Sequence, residues 1–377
     1  MELKVGVIGL GNAGGQIAAL AKDAGMEAVA INVSVDDNAT IADRVQTFGI
    51  GNSMGSGKDR DKAKVFGKRS IKELIAQEEF DTFIKKSQIV FVVYSTGGGT
   101  GSGLGPMTTA VLMNHYGTAD EGGKRFVNVG ILPSIKESLQ AQEHTIAALK
   151  EISSYNSCFM LYDNETYSDE PINVMMNKVN AAVVEDFKVI RGDYNILSKY
   201  TQIDQQDMLN IVSFPGMCRI LSAVNFQEKD LEKKGIEDLL LDDLSKGPQC
   251  EMERDRAISC IAPIVNIREG IAQHYDAALP KLKETVGELD VGFEHYYVIE
   301  DDEAFVNRVH VILTGLSIPD DRIKKVVQRI EEAKQKTVQQ KSSSVLSAFG
   351  DTENYVKKVN EAGKGSADTV DDIMAMF

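Results

Sequence analysis

The residues best suited to chemistry form a glycine run, Thr96-Gly97-Gly98-Gly99-Thr100-Gly101-Ser102-Gly103, between an apolar β-branched segment, Ile89 to Tyr94, and a helical pattern, Pro106 to His115. Backbone N–H groups freed of side chains can surround a phosphate chain, and the dipole of the following helix favours negative charge there. Thr100 and Ser102 add hydroxyl donors. A merely flexible loop is a poor explanation, since five glycines at such a junction cost backbone entropy with no packing return.

Two further glycine segments bear on the same chemistry. Gly9-Leu10-Gly11-Asn12-Ala13-Gly14 satisfies GxGxxG after a strand read at Leu3 to Ile8 and before an amphipathic stretch from Gln16 to Ala24. A nicotinamide-binding unit places an acid at the end of its second strand, but here that strand, Ala28 to Val33, closes on Ile31-Asn32-Val33-Ser34, and Asp36 and Asp37 arrive late. Gly49 to Gly57, followed by Lys58, falls short of a Walker A loop, because Asn52 stands where its first glycine belongs and Asp59 follows the lysine. Two glycine loops at the carboxyl ends of strands in one sheet would converge on one nucleotide without any lysine. An oxidoreductase built on Gly9 to Gly14 would leave Gly97 to Gly103 and Asp204 without purpose.

A third candidate is Gln202-Ile203-Asp204-Gln205-Gln206-Asp207. Two acids three residues apart at a loop-to-helix junction project the same way, so they can hold and polarise a water. The same pair also reads as an N-cap with a solvated acid.

The elements that must position these residues alternate. Strands at Phe126 to Leu132 and Ser157 to Leu161, with a helix from Leu139 to Ile152 between them, extend the pattern into a doubly wound α/β domain. Lys58 to Arg69 reads as a long exposed loop feeding a helix through Ile71, Leu74 and Ile75, and Pro106 suits a first helical turn. Asp169-Glu170-Pro171 starts a longer helix with Ile172, Met175, Val179, Val183, Phe187 and Ile190 on one face and an amide stripe, Asn173, Asn177 and Asn180, on another. The resulting division is residues 1–170, a central helix at 171–191, a catalytic loop at 192–208, a smaller α/β domain at 209–318, a basic helix at 319–341 and a disordered acidic tail at 342–377 that closes on Asp371-Asp372-Ile373-Met374-Ala375-Met376-Phe377.

Composition removes several function classes. With 377 residues and 43% apolar content, most of the chain should fold around ordinary cores. Fifty-six acids against 41 bases give a net charge of -15, which disfavours direct binding to nucleic acid or an anionic membrane. Cys158, Cys218, Cys250 and Cys260 show no CxxC spacing and the histidines no ligand pattern, which argues against a disulfide framework or structural zinc. No apolar run of about 18 residues and no charged-then-apolar leader occurs, so the expected location is the cytoplasm, of a bacterial host in the reading below.

At Gly97 to Gly103 the sequence resembles the signature loop of the tubulin and FtsZ GTPases, and the likeness returns elsewhere. Gly11, Asn12, Ala13, Gly14 and Gln16 are similar to the family's first phosphate loop, and Gly49 to Gly57 to the loop that faces the γ-phosphate. Pro133 and Glu137 fit the ribose-contacting loop, although the basic residue that FtsZ carries four positions on is Ala141. Asn164, in Asp163-Asn164-Glu165, looks like the guanine reader, with Asn177 as the second base contact and Ile172 where an aromatic usually stacks. Gln202, Asp204 and Asp207 resemble the FtsZ-type catalytic loop, with glutamine replacing its asparagine.

The resemblance covers about Leu3 to Leu316. Phosphate and base contacts then fall to Gly11, Asn12, Ala13, Gly14, Gln16, Asn32, Gly57, Gly97, Gly98, Gly99, Thr100, Gly101, Ser102, Gly103, Pro133, Glu137, Asn164 and Asn177. It implies GTP or GDP with Mg²⁺, and a head-to-tail homopolymer in which one subunit's catalytic loop enters the next subunit's site. The Lys58 to Arg69 segment, the basic C-terminal helix and the acidic tail look closer to the plasmid and phage tubulins, TubZ and PhuZ, than to FtsZ. The implied function is a filament-forming GTPase that segregates or positions plasmid or phage DNA or particles, with an adaptor or a neighbouring subunit on its tail. An FtsZ-like division GTPase and a GTP-binding filament without turnover are the rival readings.

Overall fold

The computed structural model describes residues 3–51, 55–117, 123–252, 258–286, 289–300, 302 and 304–346. Its strands are β1 (Val5–Leu10), β2 (Glu27–Asn32), β3 (Gln46–Gly49), β4 (Ile89–Ser95), β5 (Arg125–Leu132), β6 (Cys158–Asp163), β7 (Gly216–Val224), β8 (Ile258–Arg268), β9 (Leu289–Gly292), β10 (His295–Ile299) and β11 (Arg308–Leu316). Its helices are α1 (Gly11–Asp23), α2 (Val35–Ala39), α3 (Arg60–Ile75), α4 (Glu78–Lys86), α5 (Thr100–Tyr116), α6 (Leu139–Ser153), α7 (Ile172–Arg191), α8 (Gln205–Ile211), α9 (Glu228–Leu231), α10 (Ile236–Lys246), α11 (Glu269–Val286) and α12 (Asp320–Leu346).

Ile89 to Tyr94 carries β-branched and aromatic side chains to both faces, and all six residues are fully buried, as a central parallel strand covered by helices requires. The sheet runs β3-β2-β1-β4-β5-β6 with every pair parallel, then continues β7-β11-β8-β10, with β9 beside β8. Strand order reverses between β1 and β4, so the crevice at their carboxyl ends is the natural ligand position.

The smaller domain expected at 209–318 is joined edge to edge with the first. Only Cys158↔Gly216 and Phe159↔Met217 pair across the β6–β7 seam, and β7–β11–β8 beyond it is antiparallel. The central helix α7 covers this seam: Val179, Val183, Phe187 and Ile190 enter a core that also holds Val7, Cys218, Ile220 and Ile312. Phe187 stacks on Phe91 with centroids 4.0 Å apart. Ile172, expected on the buried face, is 67% exposed in the first turn.

Several element boundaries differ from expectation for a common reason. Both glycine loops pass directly into helix: α1 starts at Gly11 instead of Gln16, and α5 at Thr100 instead of Pro106. Pro106 therefore sits well inside α5 and supplies no N–H to the carbonyl of Ser102, four residues back. The Arg60 side chain takes that carbonyl, Nε to O 3.2 Å, and its guanidinium pairs with Glu151 at 2.8 Å. This contact needs α3 against α5, and Lys58 to Arg69, expected as loop, is helical from Arg60, capped by Asp59. The helix that starts after Asp169-Glu170-Pro171 has Pro171 as its N-cap and begins at Ile172.

Helix α12 runs past Lys341 to Leu346, with Ile323, Val326, Val327 and Ile330 buried as the pattern required. The acidic tail beyond Leu346 lies outside the described residues. All four cysteines are buried and free, and no described helix is long and apolar enough to cross a membrane.

Candidate nucleotide site

A cavity of about 730 Å³ opens at the carboxyl ends of β1, β2, β4 and β5, lined by Leu10, Asn32, Ser95 and Ile131 from those strands. The N-termini of α1 and α5 open onto it, and their N-cap residues, Leu10 and Gly99, make no side-chain cap hydrogen bond. Helices α3, α6 and α8 are capped by Asp59, Ser138 and Asp204. Two uncapped termini at one cavity leave orphan N–H groups and the positive ends of two helix dipoles for an anion.

Glycine is required here for approach as well as conformation. Gly11 has φ 71°, and a Cβ on it would lie 3.1 Å from the Gly101 nitrogen, which is where the two phosphate loops meet. A Cβ on Gly99 would fall 2.6 Å from the backbone of Lys58, so the third loop closes against the second. Lys58 itself is held at φ 60° and lines the cavity. Ser56 and Thr100 hydroxyls lie 3.2 Å apart across the same junction.

Of the residues expected to bind nucleotide, Gly11, Asn12, Ala13, Gln16, Asn32, Gly57, Gly98, Gly99, Thr100, Gly101, Glu137 and Asn164 line this cavity. Gly14, Gly97, Ser102, Gly103, Pro133 and Asn177 do not. Three of these are packing positions: Gly14 sits against the Val93 carbonyl, Gly97 against Pro133 and Ala141, and Gly103 against the Arg60 carbonyl. Ser102, expected as a hydroxyl donor to phosphate, is fully buried and donates to the Gly98 carbonyl. Asn177 is exposed, because the phase of α7 turns Met176 and Asn180 into the cavity instead. Ile172 is also outside the lining.

At the other end of the cavity Asn164 begins a 3-10 turn, Asn164–Tyr167, directly after β6. Glu137 accepts from the Ser134 N–H at 3.0 Å and is also hydrogen bonded by Asn164. Burial raises the Glu137 pKa, offset in part by these hydrogen bonds and by the charges of Lys58 and Arg322. Lys58 thus supplies a cation on the side where Ala141 brings none; Ala141 is buried beneath Gly97. The Asn32 amide donates to Asp37 at 3.1 Å and its oxygen accepts from the Ser34 N–H at 3.3 Å, which fixes its orientation. The sequence gives no site role to Ser34, Asp37 or Met176; Ser56 and Lys58 belong to the loop that resembles the γ-phosphate loop, and Asn180 to the amide stripe, without being named singly as contacts. Asn180 was visible as a member of the amide stripe, and the helical phase that selects it was not.

Gln202, Asp204 and Asp207 are nowhere near this cavity. Gln202 and Asp204 line a second one of about 530 Å³ with Leu3 and Gln88, the residues just before β1 and β4. It therefore lies at the amino ends of the strands whose carboxyl ends carry the first cavity. A six-residue parallel strand separates the two ends by roughly 20 Å. Asp204 and Asp207 cap α8 reciprocally, and both reach solvent.

A doubly wound sheet of this order, with two uncapped glycine-loop helices at its switch point and a helix spanning the seam to a second α/β half, is the fold shared with the TubZ and FtsZ structures. Residues 4–169 match the Tubulin/FtsZ family, GTPase domain. It is 24% identical over 242 residues to the tubulin-like protein CetZ of Pyrococcus abyssi, covering 60% of this chain and 62% of the relative. It is 30% identical over 168 residues to the tubulin-like protein TubZ of a Clostridium botulinum C phage, covering 42% and 43%. The fold matches CetZ2 from Haloferax volcanii, solved as a GTPγS-bound protofilament, with a TM-score of 0.71 at 18% identity over 89% of this chain and 99% of that one. The chain thus spans less than two thirds of these curated relatives' length in sequence. The match to TubZ supports the likeness seen in the sequence, and CetZ is a further relative.

Proposed function

We propose that the protein binds GTP at the carboxyl-end cavity, assembles head to tail, and hydrolyses GTP with Asp204 and Asp207 of the next subunit. The observation that carries this reading is the opposition of the two sites. The only acid pair of catalytic spacing singled out in the sequence faces away from its own phosphate loops across the sheet, so one copy supplies the nucleotide and another the acids. Contacts of this heterologous kind propagate as filaments. Leu197 and Tyr200, 81% and 57% exposed beside the acid loop, supply apolar surface for such a contact.

The residues divide the work. N–H groups of the α1 and α5 first turns and the Lys58 ammonium hold the phosphates; Glu137 faces the ribose; Asn164 and Asn180 face the base. Asp204 and Asp207 orient a water for in-line attack on the γ-phosphorus, and the bond to the β-γ bridging oxygen breaks as the water's proton passes to a carboxylate. No described group of three or more His, Cys, Asp or Glu forms a cation cage, which suits Mg²⁺, an ion held by one or two carboxylates together with substrate phosphates. Asp37 is the carboxylate beside the phosphate loops that would hold it, and the ion's chemistry there is neutralisation of phosphate charge.

The test is GTP turnover against protein concentration, with light scattering in parallel, for the wild type, Asp204→Asn and Asp207→Asn. Specific activity that rises above a critical concentration, with variants that assemble and do not hydrolyse, is the expected result. Turnover proportional to concentration with no scattering overturns the shared site. The reciprocal capping of the two acids favours a second reading, a GTP-binding filament without turnover, in which they are only a helix cap; GTP-dependent scattering with no phosphate release would establish it. In the first reading the protein works in the cytoplasm of a bacterial host, moving or positioning plasmid or phage DNA or particles, with the C-terminal tail tethered to an adaptor and no direct contact with nucleic acid or membrane.

A further inference from the structure

We propose that Arg322, on the C-terminal helix, is a positioning residue for base recognition, so that α12 sets the protein's selectivity for guanine; this rests on the GTP reading above. Asn164 owes its place to Asp163. The Asp163 carboxylate caps the 3-10 turn by accepting the Glu165 N–H at 2.9 Å. The same carboxylate is gripped from behind by Arg322, through Nε and through Nη2 at 3.0 Å. Arg322 Nη2 also donates to the Pro133 carbonyl at 2.7 Å, at the start of the loop that carries Glu137. One guanidinium therefore ties together the two loops that present Asn164 and Glu137.

Those loops are also laced to each other directly. Glu165 Oε2 accepts from the Ser134 hydroxyl at 2.6 Å and from the Ile135 N–H at 2.8 Å, and Glu137 is bonded to both Ser134 and Asn164. The clamp is largely buried: the Arg322 and Asp163 side chains are 8% and 10% exposed. A buried, bidentate, charge-assisted contact holds geometry far better than a surface pair does. Ile323, Val326, Val327 and Ile330 seat α12, and Leu132, Leu149 and Leu161 meet it next to Arg322. Arg322 is not part of the cavity lining; it acts through its contacts with Asp163 and Pro133, and its charge also reaches Glu137. Anything that pulls α12 from its seat releases the base-reading loop and leaves the phosphate loops in place.

The test is competition binding against a fluorescent GTP analogue, with GTP, inosine triphosphate and inorganic tripolyphosphate as competitors, for the full chain and for Arg322→Ala, Arg322→Lys and Asp163→Asn. Val326→Ala, one turn along α12, is the control for lost helix packing. Expected in Arg322→Ala is a loss of roughly tenfold or more in GTP affinity and of the preference for GTP over inosine triphosphate, with tripolyphosphate binding changed less than about twofold. Val326→Ala melts earlier and keeps the preference. If Arg322→Ala does not fold, Arg322→Lys, which keeps the charge and loses the fork, and Asp163→Asn carry the same expectation at smaller size. Undiminished guanine preference in the folded variants overturns the proposal, as does an equal loss in Val326→Ala. A wild type with no preference for guanine overturns the GTP reading itself and the proposal with it.

Discussion

Asp204 and Asp207 exchange hydrogen bonds: the Asp204 carboxylate accepts the Asp207 N–H at 2.8 Å, and the Asp207 carboxylate accepts the Asp204 N–H at 3.0 Å. Each acid spends one oxygen on the other's backbone, which fixes both carboxylates on the first turn of α8 with their remaining oxygens toward solvent. Replacing either by Ala removes half the box and should cost about 0.5–2 kcal/mol of stability, whereas Asn keeps an acceptor at the cap and should cost less. Urea denaturation of the four single variants checks this. If Ala and Asn variants were equally stable, the caps would carry no weight and any lost turnover could be assigned to chemistry alone.

The phosphate loops should respond differently at two adjacent glycines. A Cβ at position 98 meets nothing within 4 Å, whereas at 99 it collides with the Lys58 backbone. Gly99→Ala should therefore displace the Lys58 loop and weaken nucleotide binding by about tenfold or more, with a measurable loss of stability. Gly98→Ala should keep the melting temperature and place its methyl in the open cavity. Equal melting temperatures for the two variants would contradict the close approach.

Arg60 and Pro106 are coupled through the Ser102 carbonyl. Arg60→Ala orphans that acceptor, while Glu151 keeps Lys64 as its remaining described cation, so it should destabilise by about 1–3 kcal/mol. Pro106→Ala supplies the missing N–H. The double variant should thus be more stable than the sum of the single effects requires, and a double-mutant cycle measures the difference.

Stability should fall on both sides of neutrality for separate reasons. Burial pushes the pKa of His295 and His310 down to about 4, so the unfolded chain takes up protons below its ordinary value near 6.5 while the folded chain does not. Their contribution is complete above about pH 6.5 and is lost as pH falls toward 4. Asp186 behaves oppositely. Burial raises it to about 8 despite the lowering hydrogen bond donated by Tyr162, so the folded chain retains a proton that the unfolded chain releases near pH 4, and stability declines as pH rises from 4 to 8. Asp186→Asn should flatten the decline above about pH 6.5 and steepen the acid one, which the Asp186 term opposes between pH 4 and 6.5, and His310→Gln should shrink the acid one, in denaturation midpoints measured across this range.

Legibility in the sequence followed how local each determinant is. Strands β4 and β5 and helix α6 were readable nearly to the residue, because burial on both faces or one face writes itself into periodicity. The glycine loops announced an anion site because nothing else repays their entropy. The start of α5 was misread because Pro106 imitates a helix beginning; what permits a proline inside that helix is Arg60, 46 positions earlier in the chain, and no window of sequence joins them.

The sequence by itself determined which residues can bind phosphate, where the alternation makes a doubly wound sheet, and that an acid pair opens a short helix. These depend on backbone freedom, side-chain type and spacing along a few turns. Only the tertiary structure decided which amide of α7 faces the cavity, that Ser102 turns inward, that Arg322 reaches back to Asp163 across 159 positions, and that the acid pair and the phosphate loops lie at opposite ends of one sheet. Each of these depends on the angle and register at which separate elements pack, which the chain specifies only through all its contacts at once.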